Sequence, residues 1–141
     1  MRNNWPWTGV AGMKKLVIAG GLIAAALVLR GAGALAGPWE DGMAAYNRGD
    51  YAPAMALFRP LARKGNARAA AAIAAMYRKG QGVAKSSAHA FMWLSIAAAR
   101  GEVTALTEMS EMSRTMRPEE LARAREMIGA CEGTDYRNCE Y

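Results

Sequence analysis

Ala69–Gly101, AAAAIAAMYRKGQGVAKSSAHAFMWLSIAAARG, is the stretch that decides the fold. Two alanine-rich runs are divided by Gly80-Gln81-Gly82, and each run repeats its apolar residues at helical spacing. In the second, Ala90, Trp93, Leu94, Ala97 and Ala98 recur at three- and four-residue intervals, which predicts a helix with one buried stripe. Small residues dominate that stripe, so a partner helix can approach closely. Ser86 or Ser87 stands where a hydroxyl can accept an orphan amide of the first turn.

Outward from this stretch the same grammar continues. Breakers recur at Gly49-Asp50, Gly65-Asn66, Gly101 and Arg117-Pro118. They predict six helices over 38–48, 51–64, 66–79, 86–100, 102–115 and 118–130. No segment alternates polar and apolar residues or is rich in β-branched types, so the fold class is all-α. Asp50 and Asn66 are further cap candidates, and Pro118 suits a first helical position ahead of Glu119 and Glu120. Pro60 is expected to kink its helix, because Leu57, Phe58, Leu61 and Ala62 carry the apolar spacing across it.

Sliding the chain by 36 residues aligns Ala54 with Ala90, Phe58 with Leu94, Ala62 with Ala98, Gly65 with Gly101 and Ala69 with Ala105. A period of this size is the mark of stacked helix pairs that bury their apolar faces on their neighbours. The motif within Ala69–Gly101 is A-x3-I-A-x2-Y-x2-G-x-G-V-x6-A-x2-W-L-x2-A-A-x2-G. Its fixed positions are Ile73, Ala74, Tyr77, Gly80, Gly82, Val83, Ala90, Trp93, Leu94, Ala97, Ala98 and Gly101. This resembles a Sel-one-like repeat of the tetratricopeptide superfamily. Tyr46 to Gly65 resembles the ordinary tetratricopeptide turn, and the unit from Glu102 lacks the Gly-x-Gly-Val loop. The resemblance implies a short right-handed α-solenoid of two to three antiparallel helix pairs over 37–130. Gly80 and Gly82 are expected to take positive φ, while Tyr77 and Trp93 fill the space between helices.

The resemblance also implies a scaffold that binds another protein. Carried onto this chain, its helix geometry turns Ile73, Ala74 and Tyr77 toward neighbouring helices. Arg68, Ala71, Ala72, Ala75, Arg78 and Lys79 then line a concave surface, with Trp39, Met43 and Tyr46 on one flank. Thr107, Glu108, Glu111 and Arg114 form the other. A groove with an aromatic end and a basic middle suits an extended peptide carrying an apolar anchor and one or two acidic groups.

The opening third follows different rules. Met13-Lys14-Lys15 is a positive start, Leu16 to Leu29 is an unbroken apolar run, and Ala34-Leu35-Ala36 supplies the small residues a signal peptidase reads. The run is shorter than the roughly 20 residues a spanning helix needs. A secretory signal over 1–36 is therefore expected, leaving Gly37 first in a periplasmic or secreted chain. Arg30 interrupts the segment and Trp5, Pro6 and Trp7 lengthen it, so translation from Met13 and an uncleaved anchor in the inner membrane stay open as alternatives.

The formal charge of +6 shrinks once this segment is set aside, because Arg2, Lys14, Lys15 and Arg30 fall within it. The remaining charges are nearly balanced and mixed along the helices, without the basic stripe that nucleic acid requires. Cys131 and Cys139 are the only cysteines, and in an exported chain they are expected to pair across Gly133, Thr134, Asp135 and Asn138, closing a tail over 131–141. With His89 they make too few ligands for structural zinc. Met109, Met112 and Met116 recur at helical spacing and predict an apolar seam instead of a copper site.

His89, the single histidine, is expected to face water, and no phosphate loop, zinc-protease helix or nucleophile elbow occurs. The expectation is a non-catalytic envelope adaptor with no cofactor or metal. The alternatives are a β-lactam or cell-wall-binding hydrolase, as in some exported, disulfide-bonded relatives of the repeat, and a membrane-tethered subunit.

Overall fold

The computed structural model describes residues 36–134 and 139, and the proposed signal lies outside them except for its last residue. Among the described residues there are six α-helices and no strand: α1 Pro38–Arg48, α2 Tyr51–Arg63, α3 Ala67–Lys79, α4 Ser87–Ala99, α5 Val103–Thr115 and α6 Pro118–Glu132. Each lies within two residues of its expected span. The agreement has a local cause, because glycines, caps and Pro118 stop and start helices through their own backbone chemistry.

The Asn66 side chain accepts the Ala69 amide at 3.0 Å, and Ser86 Oγ accepts that of His89 at 3.3 Å. Asp50 departs from expectation. It occupies the N-cap of α2 without a side-chain cap bond, and its carboxylate instead takes Arg48 Nε at 3.0 Å. At the start of α6 the Glu120 carboxylate accepts the Arg117 amide at 3.2 Å and pairs with the Arg117 guanidinium at 3.3 Å. The hydrogen bond from Arg117 holds this carboxyl below its ordinary value. Pro60 does not end its helix, which continues to Arg63 with both Pro60 and Ala56 exposed.

Helices α1 and α2 pack together, α3 packs on α2, and α4 packs on α3. Short connections between packed neighbours make these pairs antiparallel. Four of the five pairs 36 residues apart share their environments: Ala54 and Ala90, Phe58 and Leu94, and Ala69 and Ala105 are all buried, and Gly65 and Gly101 both take positive φ, whereas Ala62 is buried and Ala98 only half-buried. The last two helices break this sequence of neighbours. Helix α5 packs on α4, yet α6 also makes its main contact with α4.

That return explains one correction. Helix α4 does not carry a single stripe, for Phe91, Met92 and Ile96 are buried along with Ala90, Trp93, Leu94 and Ala97. Enclosed by α3, α5 and α6, it is apolar all round, as a central helix must be. Met112 joins the core and Met109 and Met116 pack against it, forming the seam expected of them. The cysteines are both buried and stand at disulfide distance, with Cα atoms 4.9 Å apart.

Candidate functional site

Helix α1 presents Trp39, Met43 and Tyr46 at intervals of four and three residues, and α3 presents Arg68, Ala72 and Ala75 in the same rhythm. The two rows meet across an open concavity of about 260 Å³. Its apolar residues are half-buried and Arg68 is exposed. Alanines on α3 create the space, since longer side chains at 72 and 75 would fill it.

Each end has its own polar arrangement. At one end the Arg68 guanidinium lies over the Trp39 ring, 4.5 Å from its centroid. Trp39 leans in turn on buried Phe58, with ring centroids 5.3 Å apart. Phe58 reaches α1 because Gly42 lacks a side chain: a Cβ there would stand 2.5 Å from Phe58 Cε1. At the other end, Tyr46 Oη donates to Gln81 Oε1 at 2.7 Å, and Gln81 Nε2 donates to Tyr51 Oη at 2.8 Å. The Tyr46 and Tyr51 rings meet edge to face at 5.4 Å. Gln81 therefore ties the α3–α4 connection to the ends of α1 and α2.

That connection needs its glycines. Gly80 caps α3 in the left-handed region with φ 71°. Gly82 has the same φ and lies so close to Tyr51 that an added Cβ would meet its backbone carbon at 3.0 Å. Val83 packs against the core beyond them.

The other residues expected in a groove are arranged differently. Arg78 and Glu108, placed on separate walls by the sequence, pair with each other at 3.0 Å and join α3 to α5. Lys79 Nζ approaches Tyr46 Oη at 3.4 Å. The expected basic middle is accordingly reduced, because one of its arginines is already opposite a carboxylate. Ala71 is half-buried against the core, and Thr107, Glu111 and Arg114 are exposed on α5 and do not line the hollow. Ile73, Ala74 and Trp93 are buried as expected. Gln81 and Gly42 were not marked by the sequence, since a loop glutamine and a helical glycine gain meaning only from tertiary neighbours.

His89 also differs from its expectation. It is half-buried, stacked 4.7 Å from the Tyr77 ring, and its Nδ1 lies 2.8 Å from Ser86 Oγ. Ser86 and His89 are the N-cap and third residue of α4, positions that face each other in any capped helix. Their proximity follows from the cap.

Among the described residues, no group of three His, Cys, Asp or Glu side chains converges as a metal site, and no helix is long and apolar enough to cross a membrane. No protein-family model and no curated protein sequence matches the chain.

Proposed function

We propose that this chain is a non-catalytic adaptor of the cell envelope, holding a peptide or partner protein against the concavity between α1 and α3. The carrying observation is the convergence of Trp39, Met43, Tyr46, Arg68, Ala72 and Ala75 on one open, mostly apolar hollow with a charged rim. A hollow of this kind accepts an apolar anchor and leaves the polypeptide backbone in water, the pattern of groove recognition. The 36-residue register supports a Sel-one-like, right-handed solenoid in which α1, α3 and α5 form the inner layer. Export with removal of residues 1–36 to a periplasmic or secreted location fits the apolar run before Ala34-Leu35-Ala36 and the cysteine pair at disulfide distance.

The test is site-specific photo-crosslinking in living cells. A benzophenone amino acid at exposed Lys79, whose side chain reaches Tyr46 at the rim and leaves the hollow open, is expected to give protein adducts in the envelope fraction, whereas the same group at exposed Ala56 on α2 gives few. Equal adducts at both positions, or adducts at Ala56 alone, would remove the groove from the reading. Intact mass of the recovered chain is expected to match a start at Gly37.

A further inference from the structure

Arg68 and Arg78 lie on the same helix, in its first and last turns. Their surroundings differ. Arg78 is opposite Glu108 at 3.0 Å, so its charge is largely cancelled at short range. Arg68 has no ion pair among the described residues, and its guanidinium lies over the face of Trp39. Stacking through the π face leaves the N–H donors at the edge of a guanidinium plane available, and it limits the rotations that an isolated arginine would sample. The adjoining floor of Met43, Ala72 and Ala75 is apolar and has room for a side chain. Glu40 and Asp41 are the nearest acids in sequence on α1. They begin about 100° and 200° round the helix from Trp39, on a different side from the row Trp39, Met43 and Tyr46.

Resting on the groove reading above, we infer that the hollow recognises a polypeptide segment bearing one carboxylate beside one aliphatic side chain, and that Arg68 reads the charge. The aliphatic group enters over Ala72 and Ala75. The carboxylate meets the Arg68 edge in a two-point, charge-assisted hydrogen bond, which a neutral amide cannot match. The pairing of Arg78 with Glu108 makes a second acidic group unnecessary.

The test uses the full chain and two hexapeptide amides carrying an uncharged fluorophore, Gly-Ala-Leu-Glu-Ala-Gly and its twin with glutamine in place of glutamate. Fluorescence anisotropy in about 50 mM salt is expected to show the glutamate peptide binding on the order of tenfold more tightly than its twin. Arg68→Gln should abolish that preference, and Arg68→Lys should keep part of it. Arg78→Gln should leave the preference within about twofold, with an unchanged Tm for Arg68→Gln confirming that its loss is local. Equal binding of the two peptides would overturn the inference, as would loss of the preference on Arg78→Gln alone. Absence of binding to either peptide at millimolar concentration would overturn it too. The crosslink at Lys79 separates the cases: adducts there together with no charge preference refute the carboxylate while the groove stands, and absence of adducts refutes the groove itself.

Discussion

Gly42 shows how much one missing atom arranges. Placing a Cβ 2.5 Å from Phe58 Cε1 forces a fully buried ring to move, and that ring supports Trp39 at the rim of the hollow. Overpacking of this kind costs about 1–3 kcal/mol, while the better helix propensity of alanine returns about 1 kcal/mol. Gly42→Ala is therefore expected to lower stability by about 1 kcal/mol in urea unfolding. An increase in stability would mean that the Phe58 ring yields freely. Composition gives no hint of this role, because a glycine within Pro38–Arg48 reads only as a weak helix residue.

At the scale of elements, the local chemistry of helix ends was largely legible. Asn66 and Ser86 cap as their side chains allow, but Asp50 shows the limit, for Arg48 two residues away competes for its carboxylate. The start of α6 offers a measurable case. Its Arg117 contact depresses the Glu120 carboxyl below the ordinary 4.5, so the unfolded chain takes up the proton more readily than the folded one. The stability due to this contact is complete above about pH 4.5 and disappears as pH falls through the lowered folded value. Thermal melts of the natural chain and Glu120→Gln should differ slightly at neutral pH and converge in acid. A difference that widens below pH 4.5 would contradict the assignment. The contact is exposed, so added salt should shrink the difference as well.

At the scale of the whole molecule, α6 is held by its packing on α4, and Cys131 near its end stands at disulfide distance from Cys139 of the tail, a bond that would close the tail onto the helix. Closing so short a loop is worth about 2.5 kcal/mol in the chain-entropy account. Replacing both cysteines by alanine is expected to remove about that much, with α6 the first helix to lose protection in hydrogen exchange. Alkylation of native, unreduced protein should label neither cysteine. Labelling of both, or an unchanged melting temperature in the double variant, would deny the pair its structural part.

The sequence by itself determined the helices, their ends, the 36-residue register and which residues share a face of α1 and of α3. Those features depend on backbone conformation and side-chain periodicity, which act over a few residues and leave a readable pattern. Tertiary structure alone decided the partners. It turned α6 back onto α4, paired Arg78 with Glu108, seated Arg68 on Trp39, and drew Gln81 between Tyr46 and Tyr51. Each of these contacts joins residues on different elements or far along the chain. Spacing within one helix specifies which face a side chain occupies, and only the packing of helices specifies what that face meets.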